Sequence, residues 1–98
     1  MAQTKSQTRE RTQLSYPKQW NVIFMNDDYT PMEFVIQLLI EVFNKDLEKS
    51  KQITMQIHQE GSSVAGTYNF EVAEQKVFEA STLARHNNHP LKINMEQV

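Results

Sequence analysis

From Pro31 to Phe43 the only polar residues are Glu33, Gln37 and Glu41, each four positions from the next. On a helix of 3.6 residues per turn they form one narrow wet stripe, and everything else is apolar. Such a helix must be covered on both flanks, by a sheet and by another helix. Its start reads as a capping box, Thr30 with Glu33 three residues on, and Pro31 falls at the first helical position, where a missing N–H costs nothing. Met32, Val35, Leu39 and Phe43 make one row, flanked by Phe34, Leu38, Ile36 and Ile40. Burial explains most of this apolar surface, and the excess is free to line a pocket.

Directly upstream, Asn26-Asp27-Asp28-Tyr29-Thr30 crowds two carboxylates and a carboxamide against that oily helix. The pairing places acceptors for a cation beside an apolar surface. An ordinary account stands next to it: Asp is favoured in turns and near helix N-termini, by about 0.3 to 1 kcal/mol each.

The remaining elements fall into place around this helix. Trp20, Val22 and Phe24 alternate with Asn21, Ile23 and Met25, a strand over 19–25. Asp46 caps a second helix running to Glu60, with Gly61 at its left-handed end and Leu47, Ser50, Thr54, Ile57 and His58 on one side. Val64 to Tyr68 is a short strand with a bulge or close approach at Gly66. Asn69 caps a third helix over 70–86, with Val72, Ala73, Lys76, Val77, Ala80 and Ala84 facing inward. Asn87 and Asn88 supply its left-handed ending, and Pro90 stops it. Leu91, Ile93 and Met95 alternate with Lys92 and Asn94 in a closing strand. The order β-α-α-β-α-β predicts an α+β fold of two layers, a three-stranded antiparallel sheet with three helices packed on one side. Residues 1–16, with Lys5, Arg9 and Arg11 among Gln, Thr and Ser, are set apart as a disordered N-terminal extension to a core domain of 17–98.

Composition narrows the partners. A chain of 98 residues holds one small domain. With no cysteine, thiolate metal sites and thiol nucleophiles are excluded, and a reducing, cytoplasmic compartment is expected. A net charge of -2 offers no field for phosphates, so a protein or peptide partner is expected and not nucleic acid. No run approaches the roughly 18 apolar residues of a membrane span. His86 and His89 straddle a helix end without a third ligand, so no metal is expected. Asp27 and Asp28 are adjacent on a loop and not arranged across a bond, and neither a serine nucleophile motif nor a Gly-rich phosphate cradle accompanies them. No catalytic residue and no cofactor is expected. His58, one turn after Thr54 and beside Ile57, is the histidine placed to matter, although a surface histidine there is equally ordinary.

The run Val22-Ile-Phe-Met-Asn-Asp-Asp-Tyr-Thr-Pro-Met-Glu-Phe-Val35, followed by Ile57-His58 with Glu60-Gly61, Glu71-Val-Ala-Glu-Gln-Lys-Val77, Ala84-Arg85 and His89-Pro90-Leu91, resembles the ClpS family, the bacterial N-degron adaptors of the ClpAP protease. The resemblance extends over about residues 17–96, in order and with few length changes. It implies a non-enzymatic domain that binds proteins beginning with Leu, Phe, Tyr or Trp and hands them to the ClpA unfoldase, or to a related ClpC. By the same resemblance Asn26, Asp28 and His58 would hold the substrate's α-amino group, with Asp27 adding negative potential and shaping the loop. Thr30, Met32, Val35, Thr54, Ile57 and Leu91 would line the side-chain pocket. Glu71 and Lys76 would meet the unfoldase's N-terminal domain, and the extension would serve in transfer of substrate rather than its recognition. Thr54 departs from the methionine common in the family, which predicts a weakened preference for Leu relative to Tyr or Phe. Nothing demands more than a monomer.

Three rivals have separate discriminators. A ubiquitin-ligase recognition domain shares the pocket but sits in a very large chain, against the expectation that this chain is complete. A ribosomal or assembly protein with the same small fold has no need of the acidic loop and His58. An acid/base hydrolase would turn substrate over.

Overall fold

Alternation of buried and wetted side chains organises the sheet. The computed structural model describes residues 17–98, and the N-terminal extension expected over 1–16 lies outside them. Six elements follow one another: β1 (Trp20–Met25), α1 (Met32–Glu41), α2 (Leu47–Glu60), β2 (Ser62–Tyr68), α3 (Phe70–His86) and β3 (Lys92–Gln97). The sheet order is β2-β1-β3, with β1 central and antiparallel to both neighbours. Val22 and Phe24 of β1, Ser63 and Ala65 of β2 and Ile93 of β3 are buried, whereas Val64, Thr67, Lys92 and Asn94 face outward. One face of the sheet therefore carries the core and the helices, giving the two layers and the β-α-α-β-α-β order expected.

The bulge foreseen at Gly66 sits between Gly66 and Val64, which pair with the consecutive residues Val22 and Ile23 and leave Ala65 as the extra residue. Ala65 and Gly66 are both buried, and a Cβ at Gly66 would overlap the phenol ring of Tyr68. Glycine at this place lets Tyr68 fold back over its own strand, where it packs against the core.

The caps of α2 and α3 are as expected. Asp46 accepts from the Lys49 amide at 2.7 Å and Asn69 from the Val72 amide at 2.9 Å. Gly61 ends α2 at φ 93°. Asn88, at φ 61°, closes α3 in a Schellman arrangement, with the His89 amide donating to the Ala84 carbonyl at 2.8 Å and the Asn88 amide to that of Arg85 at 3.0 Å.

The start of α1 departs from the capping-box expectation. Pro31 itself occupies the N-cap position with extended backbone, and no side chain caps the helix. The Thr30 hydroxyl donates instead to Asp27 Oδ2 at 2.8 Å. Asp27 also accepts from the Thr30 amide, the donor that Glu33 would take in a capping box, so the box does not form. The helix also stops at Glu41, two residues short, and the chain turns through Asn44 at φ 57°. Val72, assigned inward, is 37% exposed, and the neighbouring Ala73 faces the core in its place; Leu47, grouped with the Ser50 and Thr54 side of α2, is 51% exposed.

Candidate functional site

Four segments meet at one end of the helical layer. The loop after β1 is anchored first: the Asn26 amide donates to the Gly61 carbonyl at 2.9 Å, which ties the acidic loop to the end of α2 and so to His58, one turn before Gly61. Asp27 then folds the loop on itself. Its Oδ1 accepts from the Tyr29 and Thr30 amides, each at 2.8 Å, and its Oδ2 from the Thr30 hydroxyl. With Asp27 turned inward on these donors, Asp28 and Asn26 are left exposed at the rim.

Burial pushes the Asp27 carboxyl up, but the Thr30 and Tyr29 amides, the Thr30 hydroxyl and the nearby His89 together outweigh it and hold the group below its ordinary value. A folded pKa below the unfolded one contributes stability that is complete above about pH 4 and is lost as pH falls through the folded value. The Tyr29 and Thr30 amide chemical shifts are accordingly expected to titrate together on the acid side of pH 4, and an Asp27→Asn variant is expected to lack that transition. Independent titration of the two amides would contradict a shared carboxylate.

The remaining wall comes from the linker after α3. The Arg85 guanidinium donates from Nη1 to the His89 carbonyl at 2.9 Å and to the Leu91 carbonyl at 3.1 Å. The His89 ring meets Phe34 of α1 edge-on at 4.5 Å between centroids. Clipped in this way, the linker sets Leu91 fully buried beside α1 and α2.

The result is a pocket of about 270 Å³ lined by Met25, Asn26, Asp27, Asp28, Thr30, Met32, Val35, Thr54, Ile57, His58 and Leu91. All ten residues expected from the sequence at the amine and side-chain positions line it. Met25 is the addition: the last residue of β1 lies on the face opposite Phe24, and strand alternation alone sends it away from the core without showing that the loop brings it to the pocket. Arg85 and His89, which hold one wall, stand in the sequence only as part of the quoted motifs and without a role, because Arg85 acts on backbone carbonyls and His89 on a ring distant in the chain. Val35, Thr54, Ile57 and Leu91 form a buried interior, whereas Asn26, Asp28, His58 and Met32 are exposed at the mouth. Chemically this is an apolar hole for one side chain with hydrogen-bond acceptors around its opening. Its size suits a single residue rather than a drug-sized ligand. Among the described residues no group of three or more His, Asp or Glu is placed to hold a metal ion.

Glu71 and Lys76 lie elsewhere, on α3. Glu71 is exposed in its first turn. Lys76 is half-buried, donating from Nζ to the Val42 carbonyl at 2.7 Å and lying 5.9 Å from the centre of the Tyr68 ring.

The family model described as "ATP-dependent Clp protease adaptor protein ClpS" matches residues 15–94. The chain belongs to the ClpS family. It is 44% identical over 90 residues to the ClpS adapter of Vibrio atlanticus, covering 92% of this chain and 85% of the relative. A ClpS adapter of Vibrio cholerae is 43% identical over 89 residues, covering 91% and 84%. Among solved structures, Agrobacterium tumefaciens ClpS2 bound to L-phenylalaninamide superposes with a TM-score of 0.82 at 35% identity, covering 85% of this chain and all of that one. Members of the ClpS family are adaptors of a protease and not enzymes themselves.

Proposed function

We propose that the pocket captures the first residue of a protein chain, its free α-amino group at the rim and its large apolar side chain inside, and that the adaptor thereby delivers N-degron substrates beginning with Phe, Tyr, Trp or Leu to a Clp unfoldase. The observation that carries this reading is the convergence of Asn26, Asp28 and His58 around the mouth of a hole walled by Val35, Ile57 and Leu91. An α-amine is cationic near neutral pH, with a pKa of about 7.7 to 8.0, and its neighbour on the substrate is the side chain that needs a dry place. L-phenylalaninamide, the ligand of the Agrobacterium relative, has this chemistry: a free amine beside a benzyl group.

In this reading Asn26, Asp28 and His58 accept from or order the amine, and Asp27 keeps their loop in shape. Thr30 and Met32 flank the entrance, and methionine adapts its contour to different occupants. Val35, Thr54, Ile57 and Leu91 surround the side chain. One buried side chain contributes roughly 1.5 to 3 kcal/mol and each charge-assisted hydrogen bond about 1.5 to 3. Set against an association cost of similar size, these terms make a modest binder rather than a permanent complex. That strength suits a carrier that must release its load. The partner surface is assigned to α3 through Glu71 and Lys76, meeting the N-terminal domain of ClpA or a ClpC-type unfoldase in the cytoplasm, with the adaptor monomeric when free. Among the described residues no helix is long and apolar enough to cross a membrane.

Fluorescence anisotropy of peptides that differ only in the first residue tests the reading. Micromolar binding is expected for Phe, Tyr, Trp and Leu and none for Gly, with loss of binding in an Asp28→Ala variant. Equal binding of the Gly peptide would overturn it. Thr54 shortens one wall, so Thr54→Met is expected to raise affinity for Leu relative to Phe by about fourfold, the value of roughly one more buried methylene. An unchanged ranking would remove Thr54 from the account of selectivity.

A further inference from the structure

We infer that Thr54 makes the pocket selective for tyrosine over phenylalanine as the first residue of a substrate, an inference that rests on the proposed amine-binding function. Thr54 is buried, 5% exposed, in the pocket wall contributed by α2. Its hydroxyl hydrogen is already committed: Oγ1 donates to the Ser50 carbonyl, one turn back, at 2.8 Å. A hydroxyl has one proton and two lone pairs, so with the proton spent the oxygen offers only acceptor capacity. An occupant that brings a donor satisfies it, and one that brings only carbon leaves a buried acceptor unmet.

The same helix face holds a second hydroxyl without a role. Ser50 is 0% exposed, and its Oγ meets no hydrogen-bond partner among the described residues. Ser50 is not among the lining residues; α2 contributes Thr54, Ile57 and His58 to the pocket, and Thr54 Oγ1 is the buried acceptor among them. Phenylalanine and tyrosine have the same ring and differ by one phenolic O–H, which is a donor. Tyrosine therefore fills the hole as phenylalanine does and in addition gives its proton to Thr54 Oγ1. Sites that hydrogen-bond a hydroxyl discriminate against the analogue lacking it because their own polar group is left unpaired.

The test compares peptides identical but for a first residue of Phe, Tyr or O-methyltyrosine, titrated against the full chain and its Thr54→Val and Thr54→Ser variants. The wild type is expected to bind the Tyr peptide about 3- to 10-fold more tightly than the Phe peptide, the range for one neutral hydrogen bond. O-methyltyrosine, which keeps the oxygen and lacks the donor, is expected to lose that advantage. Thr54→Val keeps the shape and removes the acceptor, so its Tyr-to-Phe ratio is expected to fall to one or below, and Thr54→Ser to restore a ratio above one. A wild-type ratio of one or less, or an O-methyltyrosine peptide that binds as tightly as Tyr, overturns the inference while leaving amine capture intact. The O-methyltyrosine comparison uses only wild-type protein and so decides the matter even where a variant fails to fold. Absence of binding by every free-amine peptide overturns the proposed function and this inference together.

Discussion

Acetylating the first amine of a Phe-initiated peptide is expected to weaken its binding by at least about 100-fold. The modification removes the positive charge and replaces a donor-rich ammonium with an amide that has a single N–H. Two charge-assisted hydrogen bonds at the lower end of their range, about 1.5 kcal/mol each, already account for that factor. The acyl group also has to fit where Asn26, Asp28 and His58 surround the opening. The measurement is a competition titration of the free and acetylated peptides against one labelled probe. A loss of less than fivefold would mean that the side-chain hole carries the affinity and that the rim is incidental. The charge requirement also sets a direction with pH: as the amine deprotonates above about pH 8, affinity is expected to fall.

Phe24→Ala is expected to lower the thermal midpoint by at least about 12 °C. Phe24 is fully buried in the central strand and packs edge-on against Phe43 at 5.4 Å between ring centroids. Truncating a buried phenylalanine costs about 3 to 5 kcal/mol, and each kcal/mol is worth about 4 to 8 °C in a domain of this size. Because Phe24 lies two residues before Asn26 in β1, the loss also loosens the strand that delivers the acidic loop. Phe78→Ala supplies the contrast: this ring is 71% exposed on α3, and its removal is expected to change the midpoint by less than about 3 °C. Circular dichroism melts of the two variants side by side check both statements. A drop for Phe24→Ala no larger than that for Phe78→Ala would contradict the core assignment.

Most of this architecture is written in local signals. Helix ends were legible where a short polar residue or a glycine acts on its own neighbours, as Asp46, Asn69, Gly61 and Asn88 do. Strand faces were legible because alternation in β1 and β3 is a period of two that burial enforces. The capping box at Thr30 failed for a local reason as well: the Thr30 amide that Glu33 would take is held by Asp27, and a pattern that scores Glu33 does not score Asp27. Val72 failed for another: Val72 and Ala73 are consecutive, and the core side of α3 takes the smaller of the two. The pocket was legible as a set of residues through the family resemblance, but its assembly was not. That depends on Arg85 reaching the His89 and Leu91 carbonyls and on the Asn26 amide meeting Gly61, contacts whose acceptors are backbone carbonyls that every sequence possesses. The role of Thr54 lies between these cases: the side chain is visible in the sequence, and the direction of its proton only in the structure.

Lys76 changes how experiments on the partner surface are to be interpreted. Its ammonium is already bound to the carbonyl of Val42, the residue that caps the end of α1, so the same atom braces the helix whose other end borders the pocket. Removing the side chain strips a brace from the scaffold together with any handle offered to an unfoldase, and a delivery defect in such a variant mixes the two. Glu71, exposed in the first turn of α3 and free of that duty to α1, is the cleaner lever: swapping its charge tests the proposed docking surface while the brace remains in place.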